Sequence, residues 1–250
     1  MKRMQLIIRR DCREMLSTTA FRIIILAISL VTVTASTGIS IALRLQSWYG
    51  MAAAAPGLNL ILGLIAYFLP FVILITFIWG FASFQITNEK VNGIIECLLA
   101  TPLDPRDLWM GKCIAIFAPS YIIALVASFI TLLVVNVAAI LPGWGITALP
   151  IAALVNGLII NPLLFFALIA FVVLFSLVNN PDLAAAPSLL IGFGMMIGMP
   201  VAILTGVIDI TSWSFTLWYL AGTVVFWAVV LYLTRLLTRQ NIVLSSKGTG

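Results

Sequence analysis

The chain has 250 residues, of which 63% are hydrophobic and 8% charged, with a mean hydropathy of +1.21. Soluble domains carry about 25% charged residues, so this chain has too little charge to cover a water-facing surface. Disorder is excluded as well, because its signature is low hydrophobicity with high charge. What remains is a polytopic integral membrane protein, all-α because the sequence lacks the long alternating patterns of a barrel.

Several kinds of chemistry are excluded by residues that the sequence lacks. There is no histidine, which removes histidine acid–base catalysis and histidine metal ligands. The three cysteines (Cys12, Cys97 and Cys113) have no motif spacing and indicate neither a zinc site nor a disulfide framework. The net charge of +5 is better explained by membrane topology than by nucleic acid. We therefore expect no catalytic residue, no metal site and no bound cofactor in this chain, and no nucleic-acid partner.

A basic amphipathic segment opens the chain. Its pattern predicts an interfacial helix over about residues 1–20, with an apolar face in lipid and a basic face toward anionic headgroups. The alternative is a plain basic flank that only sets orientation. A cleaved signal peptide is disfavoured, since the apolar region that follows exceeds the ~7–15 residues of such peptides. The predicted apolar face consists of Met4, Ile8, Cys12, Met15 and Leu16.

Six apolar segments are long enough to cross the bilayer, since a helical span needs about 20 residues. They predict one transmembrane domain over residues 1–250. With the N-terminus in the cytoplasm, 12 of the 13 basic residues lie on the inner side and only Arg44 lies outside. This positive-inside bias predicts that both termini are cytoplasmic. The predicted spans are about 23–43, 58–81, 113–141, 148–178, 183–207 and 213–233.

Residues 84–111, between the second and third spans, form an amphipathic segment. Pro102 ends its first helix at Thr101, because a residue before proline is pushed out of the helical region. Asp104 then provides an N-cap for a second helix that begins at Pro105. The first helix has an apolar stripe of Val91, Ile94, Ile95, Leu98 and Leu99, and a polar stripe of Glu89, Asn92, Gly93 and Glu96.

Two interpretations of this segment stay open on the residues alone. It is either an interfacial helix on the bilayer or a docking surface for a cytoplasmic partner. Lipid anchoring usually brings Lys and Arg onto the polar face, whereas this face carries Glu89 and Glu96. Gly93 also leaves room for another backbone to approach.

The run from Asn88 to Lys112 resembles the signature of type-2 ATP-binding-cassette (ABC) exporter permeases. It reads NEKVNGIIECLLATPLDPRDLWMGK. Members of that family show an acidic-rich start, a Gly or Thr, then Ile/Leu-Glu-x-Leu-Leu-x-Thr-Pro, and a Gly-Lys entering the third span. The match covers about 25 residues. The six-span plan, the N-terminal helix and the cytoplasmic termini extend the resemblance to the whole chain.

The resemblance implies a role for each part of the chain. The helix over about Asn88 to Ala100 would be a coupling helix that sits in a groove of a separate ATPase subunit, and the N-terminal helix would be the connecting elbow. Two ATPase subunits, closing on ATP and magnesium, would open a path between two permeases, this chain and a second copy or a relative, in a prokaryotic plasma membrane. The residues implied at the contact are Glu89, Lys90, Gly93, Glu96 and Leu99, with Asp104 and Arg106 capping the segment.

ATP hydrolysis would belong to the partner. The only Gly-Lys pair, Gly111-Lys112, has Arg106 where a phosphate-binding loop needs glycine, and Cys113 where it needs Ser or Thr.

Polar residues inside the spans are few. No charged residue falls near the middle of any predicted span, which disfavours an ion-coupled transporter. The amides of the fourth span either line a path or bond helices together, and packing is the favoured interpretation. In the fifth span a Gly-x-x-x-Gly pair allows close helix contact, and a break is expected near its proline. These candidate pathway or packing residues are Asn156, Asn161, Gly194, Gly198 and Pro200.

The leading interpretation is the permease subunit of an ATP-driven exporter for a hydrophobic or amphipathic substrate, which is not itself an enzyme. The alternative is a secondary transporter or channel without an ATPase partner. An intramembrane enzyme ranks third, because it would need clustered catalytic groups and the 8 acidic residues are dispersed.

Overall fold

The computed structural model describes residues 2–47, 49–51, 55–83, 89, 92, 94–99, 104–145, 150–178 and 181–238. Within these ranges the regular structure is helical and includes no β-strand. The helices are α1 (Lys2–Ser17), α2 (Thr19–Arg44), α3 (Ala55–Phe77), α4 (Ile94–Leu99), α5 (Pro105–Val135), α6 (Leu141–Trp144), α7 (Ile151–Val155), α8 (Asn161–Val178), α9 (Pro181–Leu204) and α10 (Trp213–Leu233).

Three π-helical turns continue or join these helices. Ile78–Ser83 extends α3, Asn136–Ile140 joins α5 to α6, and Asn156–Ile160 joins α7 to α8. Such turns insert an extra residue into a helix and occur frequently at functional sites.

Five helical stretches of the described chain are long and apolar enough to cross a membrane, so the multi-pass character is confirmed. They are Thr19–Arg44, Pro56–Phe81, Pro105–Trp144, Ile151–Val178 and Trp213–Leu236.

The predicted fifth span, 183–207, falls on α9, whose described apolar part, Gly192–Leu204, is shorter than a span. Six spans, and with them the placement of both termini on one side, therefore stay a prediction.

The core lies between α3, α5 and α8. Phe71 and Phe165 are fully buried there, with ring centroids 5.1 Å apart in an edge-to-face arrangement. The stretches containing α2 and α10 have only 17% of their apolar window buried. Helices with apolar side chains on their outer surface suit a lipid environment, where association depends on close packing and hydrogen bonds.

One backbone contact in the core depends on a proline and a glycine from different helices. Pro70, inside α3, has no N–H to donate to the carbonyl of Ala66, four residues earlier. Gly157, in the π-helical turn before α8, packs against that carbonyl. A Cβ built on Gly157 would lie 1.8 Å from the Ala66 oxygen, so a larger residue does not fit.

The π-helical turn after α5 is hydrogen-bonded to the end of α2 next to a second proline. Pro142 has no N–H to donate to the carbonyl of Ala138. The Nε of Arg44 donates to that oxygen at 2.8 Å, and its Nη2 contacts the same oxygen. The hydroxyl of Tyr49 donates to the neighbouring carbonyl of Ala139 at 2.8 Å. Arg44, expected only as an exception to the charge bias, therefore donates to a carbonyl in the π-helical turn between α5 and α6.

Candidate functional site

A buried group of charges joins α1, residue 89 and the start of α5. The Nζ of Lys112 lies 3.3 Å from Asp11 Oδ2 and contacts Glu89 Oε2. These three side chains are at most 5% exposed. Asp11 also contacts Arg10 at 2.7 Å, and the side chain of Arg10 is 41% exposed. We call Arg10, Asp11, Glu89 and Lys112 the Lys112 cluster.

The cluster is formally neutral, because two carboxylates face two cations. Removing one partner of a buried ion pair leaves a charge without compensation, which is strongly destabilising, whereas the intact pair adds little net stability. The ion pairs of the cluster therefore fix the positions of α1, residue 89 and the start of α5 relative to one another.

Local sequence explains why α1 and α5 meet here. Ile7, Asp11 and Met15 are spaced four residues apart and lie buried on one face of α1. On α5, a Cβ at Gly111 would lie 3.1 Å from Ile7 Cγ2, so the glycine permits a close approach. The thiol of Cys12 donates to the carbonyl of Ala115 at 3.4 Å. Asp11 is thus a buried charge between two buried apolar residues of α1, and Lys112 of α5 pairs with it.

The face of α1 expected in lipid contacts protein instead. Met15 is 2% exposed, and Met4, Ile8 and Cys12 are half-buried, while Leu16 is 49% exposed. α1 contacts α5 and α2 along this side. Helical periodicity identifies an apolar face, but lipid and a neighbouring helix satisfy such a face equally well.

The environment of Cys12 alters its acidity. Burial raises the pKa of the Cys12 thiol, and the negative charge of Asp11 raises the pKa further. A thiol with a raised pKa is a poor nucleophile at neutral pH.

The start of α5 has the cap predicted for it. Asp104 Oδ1 accepts a hydrogen bond from the backbone N–H of Arg106 at 3.0 Å, and Pro105 occupies the first turn. Trp109 then donates its indole N–H to the carbonyl of Ala170 in α8 at 2.8 Å. The end of the 88–112 run is thereby bonded to the centre of the bundle.

The residues implied at an ATPase contact are described only in part. Glu89 is 4% exposed, and its carboxylate is engaged by Lys112. Lys90 and Gly93 lie outside the described residues, as do the side chains of Glu96 and Leu99. For all five an ATPase contact stays a prediction, and for Glu89 the structure supplies a partner within the chain.

The short helix α4 has one buried and one exposed apolar residue. Ile95 is 2% exposed and joins the main hydrophobic core, whereas Ile94 is 38% exposed. Cys97 and Asn92 are exposed as well. α4 therefore lies on the bundle through Ile95 and presents another side outward.

The two asparagines of the fourth predicted span are fully buried and donate hydrogen bonds to other parts of the chain, Asn161 to α3 and Asn156 to the turn before α10. Asn161 donates to the carbonyl of Tyr67 in α3 at 2.9 Å and accepts from the hydroxyl of Tyr219 in α10 at 2.5 Å. Asn156 donates to the carbonyl of Ile210 at 3.4 Å. The two hydrogen bonds of Asn161 are of the kind that the packing interpretation requires, whereas Asn156 Oδ1 is buried without a hydrogen-bond partner among the described residues.

The glycines of α9 differ from one another in their surroundings. A Cβ at Gly192 would lie 2.6 Å from Ile75 Cδ1, so this glycine permits contact with α3. Gly194 and Gly198 are exposed, and a Cβ at either would meet no atom of the described residues within 4 Å. The close contact expected for the Gly-x-x-x-Gly pair is therefore absent within the described part of the chain.

The break expected near Pro200 is not present. α9 continues through Pro200 to Leu204, and the chain turns at Gly206, whose φ is +73°. Proline is tolerated inside membrane helices because neighbouring groups satisfy the freed backbone. Asp209 then accepts hydrogen bonds from the N–H and hydroxyl of Thr211, and Ser212 caps α10.

Among the described residues there is no group of three His, Cys, Asp or Glu side chains placed to bind a metal ion.

Comparisons with protein-family models, with curated proteins and with solved structures find no match to this chain. The residues that bear on function are therefore the 88–112 run and the Lys112 cluster, to which the run contributes Glu89 and Lys112.

Proposed function

We propose that this chain is the membrane-spanning permease subunit of an ATP-driven exporter and is coupled to a separate ATPase subunit. The observation that carries the proposal is the buried contact between Glu89 and Lys112. It joins the two ends of the run that resembles the exporter signature. A displacement of the segment between them would act directly on the start of α5.

The packing of α5 supports a transmitting role. The stretch Pro105–Trp144 has 40 residues and, at ~1.5 Å per residue, is roughly 60 Å long, about twice the hydrocarbon thickness. One end of it therefore extends beyond the membrane. α5 contacts α1, α2, α3 and α8. A tilt of α5 imposed near Lys112 would therefore displace these neighbouring helices.

In this proposal the chain supplies the path and the partner supplies the energy. ATP and magnesium bind to the ATPase subunit, of which two copies are used. The outward side of α9, with Gly194 and Gly198, offers a surface for a second permease copy. Apolar and amide side chains in the bundle suit a hydrophobic or amphipathic substrate.

The test is co-purification from the membranes in which the chain naturally occurs. The proposal expects an ATPase with a phosphate-binding loop to be recovered with the tagged chain in equal amount, and ATP hydrolysis to be detected only when it is present. Glu96→Lys should lower recovery of the ATPase while leaving the chain in the membrane. Glu14→Lys, the same charge reversal at an exposed position of α1, serves as the control.

Two results would count against the proposal. Unchanged recovery of the ATPase with Glu96→Lys would show that Glu96 is not at the contact. Solute or ion flux through the purified chain alone in liposomes would favour the alternative of a channel or secondary transporter.

A further inference from the structure

The side of α1 that faces away from the bundle has an open groove of about 540 Å³. Because the apolar side of α1 packs on α5, this outward side is what the helix presents to its surroundings. The groove is lined by Leu6, Arg9, Arg10, Arg13, Glu14 and Ser17.

The charges of the groove favour an anion. Three guanidinium groups face a single carboxylate, that of Glu14. Arg10 is held by Asp11, but Arg9 and Arg13 are exposed and form no ion pair with any residue that the structure describes. They are four residues apart and therefore neighbours on one helix face. Guanidinium groups bind phosphate through paired hydrogen bonds, which makes arginine well suited to this ligand.

The position of α1 brings the groove to the membrane surface. α1 ends at Ser17 and the membrane helix α2 begins at Thr19, so one residue separates them. Leu6 is 69% exposed and Leu16 is 49% exposed beside the arginines. Along the helix these two leucines stand on either side of Arg9, Arg10 and Arg13. A helix at the membrane interface places its apolar groups among acyl chains and its cations at the headgroups.

We propose that this groove binds the phosphate of an anionic phospholipid in the leaflet from which α2 starts. Arg9 and Arg13 hold the phosphate, while Leu6 and Leu16 contact its acyl chains. Arg10 lies in the same groove and belongs to the Lys112 cluster, so lipid binding is adjacent to the contact that fixes α1 on α5. The inference is independent of whether an ATPase binds this chain.

Native mass spectrometry of the full chain in detergent tests the site, with phosphatidylglycerol and phosphatidylcholine of identical acyl chains as probes. The wild-type chain should retain phosphatidylglycerol preferentially. Arg9→Gln with Arg13→Gln should weaken its binding roughly 30-fold, since each arginine contributes about 1 kcal/mol near an anionic surface. Arg9→Lys with Arg13→Lys should give an intermediate loss, because the charge stays and the paired hydrogen bonds do not.

The matched control is Arg22→Gln with Arg235→Gln, which removes the same charge at exposed positions outside the groove and should retain the lipid. An equal loss in the control would overturn the proposal in favour of general charge attraction. Displacement of the lipid by excess inorganic phosphate would show a site for free anions instead. Unchanged lipid binding together with loss of a co-purifying protein would assign Arg9 and Arg13 to an acidic protein surface.

Discussion

The ammonium group of Lys112 contacts the carboxylate of Glu89, 23 residues earlier in the chain, and both side chains are buried. These residues stand at the two ends of the 88–112 run. From the sequence, Glu89 belongs to a polar stripe that faces outward, and Lys112 is a charge at a membrane boundary. Their contact gives both residues a role within the chain. It also gives the segment between them a fixed attachment to α5.

The Lys112 cluster should show the energetics of a buried ion pair. Lys112→Met leaves Asp11 and Glu89 buried without their shared cation, so we expect a loss of about 3–5 kcal/mol of unfolding free energy. Thermal unfolding in detergent, followed by size-exclusion chromatography, measures it. The triple variant Asp11→Asn, Glu89→Gln and Lys112→Met removes all three charges and should recover most of the loss. Equal stability of Lys112→Met and the wild-type chain would contradict a buried pair.

Gly157 should tolerate no side chain. In Gly157→Ala the new Cβ would overlap the backbone oxygen of Ala66, so α3 and the π-helical turn must separate. Overpacking of this kind costs typically 1–3 kcal/mol, and a backbone clash belongs at or above the upper end. Gly222→Ala in α10 is the matched control, because its Cβ meets no described atom within 4 Å. If the two variants unfold at the same temperature, the close approach of the two backbones is wrong.

The sequence predicts some of these features well because they are local. The cap at Asp104, the proline after it and the apolar length of five of the six predicted spans depend on neighbouring residues, and the described part of the chain contains them. Gly157 is one of 17 glycines, and its importance comes from a carbonyl about 90 residues away. The burial of Asp11 also depends on a residue far away in the sequence, because its partner Lys112 lies on α5.

The pH dependence of Cys12 should report on Asp11. In a chain with Cys97→Ser and Cys113→Ser, alkylation of Cys12 should be slow at neutral pH and should rise at a higher pH than alkylation of a fully exposed thiol. The reason is that a raised pKa leaves less thiolate at any given pH. Asp11→Asn removes the carboxylate charge and should move the alkylation profile to lower pH, while the part due to burial remains. A profile that does not move would exclude Asp11 as a cause.

Membrane orientation is best tested at Cys97. This thiol is exposed, whereas Cys113 is buried. If the predicted orientation is right, a membrane-impermeant maleimide should label Cys97 in inside-out vesicles and leave it unlabelled in intact cells. Cys113 should stay unlabelled in both preparations because of its burial, and it is the internal control. Labelling of Cys97 in intact cells would reverse the predicted orientation.

The role of Arg44 can be separated from its effect on topology by a double-mutant cycle with Pro142. Arg44→Gln should cost about 1 kcal/mol, because the carbonyl of Ala138 loses its charged donor. In a Pro142→Ala background, residue 142 regains an N–H that can donate along the helix to that carbonyl, so the same substitution should cost less. Since neighbouring sites couple by 0.5–3 kcal/mol when they share a partner, thermal unfolding of the four proteins resolves the difference.

Equal costs in both backgrounds would show that Arg44 stabilises the chain by another route. If Arg44 acted only through membrane orientation, Arg44→Gln would favour the predicted orientation and would not lower the unfolding free energy. The reason is that the substitution removes a positive charge from the predicted outer side and so strengthens the charge bias. A loss of stability that depends on Pro142 therefore assigns Arg44 to the π-helical turn after α5, where its guanidinium donates to the carbonyl of Ala138.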